Sequence, residues 1–189
     1  MCDFADFVSA NPLTVNIRAF DEQELSFVSG LDVPEGFSDL LKQEGLSFYN
    51  NYFLSTTLPQ WHFDTFSAWG LKGKECFAFM KTAFGSLFYI NKLQVYRLDP
   101  LTGNTLKSNF DFCDFLNIKL TLASTYESCF KDIYDKYVSI KKHEHNEIFA
   151  LVPALPLGGS FETSKYEVVK MREHISFLAQ LYDNKVKKL

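Results

Sequence analysis

The tightest grouping of side chains that could do chemistry is His143-Glu144-His145. Two histidines two residues apart share a metal only on a strand or turn, and a third ligand must arrive from elsewhere. Nothing in the spacing marks that third ligand, so a solvated loop is expected. Gly158-Gly159-Ser160 invites comparison with phosphate loops, where successive N–H groups cradle anions. A P-loop continues with Gly-Lys-Ser/Thr into a helix, whereas Phe161-Glu162 follows here, and a backbone turn with positive φ is the expectation. His62 and His174 each fall on a predicted helix beside core positions, the usual place of a structural histidine. The serines show no GxSxG elbow, and no cysteine has an adjacent histidine to activate it. Asp111/Asp114 and Asp132/Asp135 stand three apart on predicted helices and read as solvated faces. No enzyme, metal site or other cofactor is expected from these residues.

Charge is more informative. The net charge is −4 over 189 residues, which argues against unaided binding of nucleic acid or an anionic membrane. Residues 1–45 concentrate the acids, among them Asp21, Glu22, Glu24, Asp32 and Glu35, against only Arg18 and Lys42. This end is either a self-repelling, solubilising surface or a docking face for a basic partner, where clustered carboxylates speed encounter. Apolar residues make up 47% of the chain and charged ones 22%, with 20 phenylalanines against 2 tryptophans, so an aromatic-rich core is expected rather than disorder. Cys76, Cys113 and Cys129 sit among apolar residues in no metal-binding spacing, and buried free thiols are expected. With no signal-peptide pattern and no apolar run long enough to span a bilayer, a cytoplasmic location is expected.

Elements that would position these groups follow from periodicity and punctuation. A short N-terminal helix ends at Asn11-Pro12, and Thr14 to Phe20 is expected as a short strand or an extended arm. Residues 21–36 are expected as a loop with at most one helical turn, and Phe37 to Glu44 as a helix closed by Gly45. Thr57 precedes a helix running to Gly70. Glu75 to Ala83 reads as a strand buried on both faces, followed by a hairpin turning at Asn91-Lys92 and a return strand at Thr105 to Lys107, an antiparallel meander. A capping arrangement at Ser108 and Asp111 opens a short helix. Thr125 to about Lys141 is expected as one long amphipathic helix carrying Tyr126, Cys129, Phe130, Ile133, Tyr134 and Tyr137 on one face. The basic tail, Lys185 to Leu189, is expected to fray.

Phe149 to Gly159 begins as a strand, carries Pro153 and Pro156, and ends in two glycines. A strand cannot donate at Pro153, so it lies at an edge or leaves the sheet there, freeing the Arg172 to Tyr182 helix to dock. The expected fold is α+β: a twisted antiparallel sheet flanked by helices in one compact unit.

Three stretches also resemble a known family in order and spacing. Lys81-Thr82-Ala83-Phe84-Gly85-Ser86-Leu87-Phe88 is similar to the R-T-A-F-G-D-L-F hairpin of GAD-like bacterial proteins. Phe149 to Gly159 resembles their G-F-V-P-A-L-A-L-G-G segment, and Arg172 to Leu181 their E-H-L-x-L-L-A-Q-L helix. Ser86 departs from the usual aspartate and Pro156 from the usual alanine. Such proteins join a GAD-like region, here 1–110, to a type VI secretion immunity module, here 111–189, the two sharing one core. The resemblance implies an immunity protein that binds and silences a cognate toxin, typically a DNase, without catalysis. The expected partner is that toxin, with no direct nucleic-acid or membrane binding. Asp21, Glu22, Glu24, Asp32 and Glu35 are then the candidate docking residues. An interaction module unrelated to secretion is the alternative.

Overall fold

The computed structural model describes residues 4–30, 33–55, 59–72, 76–162, 165–183 and 187–188. Helix α1 (Ala5–Ala10) leads to strand β1 (Leu13–Arg18), then α2 (Glu22–Ser29) and α3 (Glu35–Glu44). The chain continues through β2 (Leu46–Tyr49), β3 (Phe53–Ser55), α4 (Pro59–Ala68), β4 (Phe77–Lys81), β5 (Leu87–Asn91), β6 (Gln94–Asp99) and β7 (Asn104–Lys107). These seven strands pair in chain order, each antiparallel to the next. Short turns close β2–β3, β4–β5, β5–β6 and β6–β7 at little entropic cost, while β1–β2 and β3–β4 are joined through helices. Asn50 and Asn51 (φ 50° and 52°) turn β2 into β3, and Lys92 and Leu93 (φ 50° and 65°) turn β5 into β6. The latter hairpin lies one residue beyond the expected Asn91-Lys92, because Asn91 is still paired with Gln94.

The C-terminal part contributes α5 (Phe112–Asn117), α6 (Ala123–Ser128), α7 (Lys131–Val138), β8 (Glu147–Val152), β9 (Lys165–Lys170), α8 (Met171–Leu181) and β10 (Lys187–Lys188). Strands β8 and β9 form a sheet of their own rather than an edge of the large one. It is tied to the large sheet by the Phe149 N–H donating to the Ala83 carbonyl (2.9 Å). The peptide bond before Pro153 is cis, and the strand ends there.

Alternation along the strands, interrupted in β4 by a bulge between Ala78 and Met80, divides the core into two layers. Phe79, Met80, Phe88 and Ile90 face helices α1, α3 and α5–α7. Ala78, Leu87, Tyr89 and Leu98 face α4 and α8. In the first layer the Phe112 ring packs against Phe37 (4.7 Å between centroids) and Phe79 (5.0 Å), both near edge-to-face. The preference of ring edges for ring faces explains how so many phenylalanines share one core. Residues on both sides of position 110 contribute to both layers.

Four expectations need correction. Residues 22–29 form helix α2 instead of a loop, because Asp21 and Glu24 cap it reciprocally: Glu24 N–H donates to Asp21 Oδ1 (2.9 Å) and Asp21 N–H to Glu24 Oε2 (3.0 Å). The long helix is broken into α6 and α7 at Phe130, which adopts a left-handed conformation (φ 65°). There the Cys129 carbonyl accepts from the Tyr52 hydroxyl, and Phe130 stacks on Phe161 (5.0 Å). Tertiary contacts thus outweigh a favourable helical stripe. Cys113 is disulfide-bonded rather than a free thiol, a pairing that local composition does not reveal; Cys76 and Cys129 are buried thiols. Lys187 and Lys188 do not fray but pair parallel with β7. The expected cap at Thr57 lies outside the described residues.

Candidate partner-binding surfaces

Of the five candidate carboxylates, the structure presents two to solvent. Asp21 and Glu22 are exposed at the start of α2. Glu24 is 3% exposed and bound by both guanidinium nitrogens of Arg18 (2.6 and 2.9 Å), so its charge is spent internally, holding α2 against the end of β1. Asp32 and the Glu35 side chain lie outside the described residues. Glu44 is also used internally, its carboxylate accepting from the Tyr49 hydroxyl. Asp39 on α3 is exposed and only loosely paired with Lys42 (3.9 Å).

The cluster at residues 143–145 is not a ligand set: among the described residues no group of three or more His, Cys, Asp or Glu could hold a metal ion. His143 instead turns inward, its ring packed against Phe48, Tyr134 and Phe149. Burial, with the nearby Lys81 ammonium as a second cause, pushes its pKa down to about 4. Lys81 is 1% exposed. Its Nζ donates to the Glu147 carbonyl (2.9 Å), bridging β4 to β8, and burial pulls its pKa down to about 7. The charged residue inside the apolar run Phe77-Ala78-Phe79-Met80-Lys81 was the sequence signal for this bridge. His174 on α8 is partly buried with its Nε2 unpartnered, and burial lowers its pKa; the His62 side chain lies outside the described residues. Gly158 takes φ 84°, as a left-handed turn requires, and Gly159 lies so close to the Pro153 carbonyl that a Cβ would overlap it. Gly158 therefore serves the turn and Gly159 the close packing against Pro153.

A cleft that sequence reasoning did not anticipate runs between the β2–β3 turn and helices α6–α7. One part, of about 570 Å³, is lined by Val15, Phe48, Tyr134, Val138 and His143. The adjoining part, of about 460 Å³, is bordered by Tyr126, Glu127 and Asp132, and both parts share Asn50, Lys131 and Asp135. Its floor is held rigidly. Asn50 N–H donates to the Pro12 carbonyl (2.8 Å), Asn51 N–H to Thr14 Oγ1 (3.0 Å), and the Tyr134 hydroxyl to the Asn51 carbonyl (2.6 Å). Lys131 is ion-paired with Asp135 and lies over the Tyr52 and Tyr134 rings (5.7 and 5.4 Å). Only the Asn-Asn turn was legible beforehand, because the cleft joins segments some eighty residues apart.

Among the described residues no helix is long and apolar enough to cross a membrane. In overall fold the chain is similar to the structure titled "Crystal structure of Atu4351 from Agrobacterium tumefaciens", with a TM-score of 0.75 at 16% identity over 94% of this chain and 88% of that one. Identity that low establishes a shared fold alone. No curated protein matches the chain by sequence. A family model does: residues 114–182, spanning α5 to α8 and the cleft wall formed by α6 and α7, match the C-terminal module of the T6SS immunity protein Tdi1 family.

Proposed function

We propose that this chain is an immunity protein that binds and neutralises a cognate secreted toxin without catalysis, the toxin being a type VI effector that acts as a nuclease. The observation that carries the reading is the match of residues 114–182 to the immunity module. The structure is compatible with a binding role. The buried bases Lys81 and His143, whose pKa values burial lowers, serve strand bridging and packing.

A nuclease must present basic groups to phosphates, and a carboxylate surface complements them and accelerates encounter. Asp21 and Glu22, with Asp32 and Glu35 beside them in sequence, are proposed as part of that docking face. Glu24 is left out because it is committed to Arg18.

The test is co-expression with the products of the genes that flank this chain's own, scoring survival and co-purification. Rescue with a stable complex is expected, and a chain that neither rescues nor co-purifies is an interaction module of another kind. Replacing Asp21, Glu22, Asp32 and Glu35 with amides should slow association by about ten-fold and flatten its salt dependence. Asparagine at position 21 preserves the helix cap. An unchanged association rate would discard the acidic face while leaving immunity intact.

A further inference from the structure

We infer that the cleft between the β2–β3 turn and α6–α7 is a toxin-contact surface, receiving a segment that sets an arginine against Glu127 and Asp132 and an apolar side chain against Val15 and Phe48. The inference rests on the immunity reading and assigns it a second surface. Interfaces draw their energy from apolar anchors in preformed pockets, with charged groups at the rim selecting the partner. Both ingredients are present. Val15 is 47% exposed on β1, and Phe48, Tyr134 and Val138 continue its apolar surface into the cavity of about 570 Å³, a size that suits one or two large side chains.

The charge of the cleft chooses the occupant. Glu127, Asp132 and Asp135 all border the smaller part and are exposed. The base among them, Lys131, is 17% exposed and already paired with Asp135, and among the described residues Glu127 and Asp132, which border the same part of the cleft as Tyr126, have no ion-pair partner. A guanidinium suits that setting because it is planar, stacks on aromatic faces and bonds carboxylates with paired donors. Lys142 lies at the other part of the cleft, so the two ends differ in sign and orient the segment. His143 is uncharged near neutral pH and does not oppose them. Strand β1 opens the large sheet, and its first four residues are exposed, so an extended segment can reach the cleft along it. The floor is fixed by bonds from β1 and α7, which lowers the ordering cost of binding.

The test measures affinity for a catalytically silenced form of the toxin identified by the co-expression screen, after confirming that each variant melts like the parent. The double variant Glu127→Lys/Asp132→Lys should bind about thirty-fold more weakly, and Val15→Asp about ten-fold. Glu173→Lys on α8, across the sheet, should bind within about two-fold of the parent, as expected away from the interface. Hydrogen exchange should slow at residues 50–51 and 126–135 in the complex. If the parent binds while both cleft variants bind equally well and those amides stay unprotected, the cleft assignment is wrong and the immunity reading survives. If the parent itself does not bind, the immunity reading fails first.

Discussion

Burial moves the titrations of Lys81 and His143 across the range from mild acid to mild alkali, and both couple folding to pH. Lys81 ordinarily titrates at 10.5 and is held near 7 in the folded chain. The unfolded chain therefore binds the extra proton between these values, and stability should rise with pH across that window. His143 moves from 6.5 to about 4, so the same relation makes stability fall as pH drops from 6.5 towards 4. Lys81→Met should flatten the alkaline rise, and His143→Leu should remove about 2 kcal/mol of the acid loss, allowing for its partial exposure. Urea titrations of parent and variants at pH 4, 6.5, 7 and 10 would measure both. The comparison with each variant is needed because Glu147, whose pKa Lys170 lowers by hydrogen bonding, also loses stabilisation in acid. Neither effect follows from composition: His143 sits in a polar stretch of sequence and is buried by rings from β2, α7 and β8.

At the scale of elements, short-range rules succeeded where the partner groups are close in sequence. The α3 helix ends at Gly45 with φ 61°, and α5 is capped by Asp111 accepting from Asp114 N–H (2.9 Å), although the capping pair anticipated at Ser108 is not used. Helix α2 was legible too, since Asp21-x-x-Glu24 is a capping pattern, but acidity and flanking Gly and Pro obscured it. Break points set by distant contacts were not legible, as Phe130 shows. The glycine pair separates two physical causes. Gly158 has a positive φ and open space around it, while Gly159 abuts the Pro153 carbonyl. Gly158→Ala should cost about 1 kcal/mol of left-handed strain. Gly159→Ala must displace backbone, and should cost about 3 kcal/mol or more through overpacking. Thermal melts of the two variants would check the order, and equal losses would contradict it.

At the scale of the molecule, ring contacts join residues on the two sides of position 110. Phe84 meets Phe149 (5.8 Å) and Phe130 (5.8 Å), Phe79 meets Phe112, and Tyr52 meets Tyr134 (5.1 Å). A fragment of residues 111–189 would expose these rings and lose the Lys81 bridge, so it should not give a cooperative melt. The full chain should unfold in one urea transition, with tryptophan fluorescence and far-ultraviolet circular dichroism coincident. Separate midpoints would show the parts to be independent. The proposed cleft spans the same junction, with walls from β1, the β2–β3 turn and α6–α7, so destabilising either part should weaken toxin binding along with stability.

Local patterns along the chain were enough to specify the α+β class, the meander, the proline exit of β8 and the final helix. Each depends on period, punctuation or capping within a few residues. The sequence also placed the acidic bias at the N-terminal end. Tertiary structure decided which carboxylates remain available, because Arg18 neutralises Glu24 only once β1 and α2 pack together. It likewise decided that the long helix breaks at Phe130, and that a cleft forms where Val15, Asn50 and Asp135 converge. Those outcomes depend on contacts between residues far apart in the chain, which no local pattern encodes.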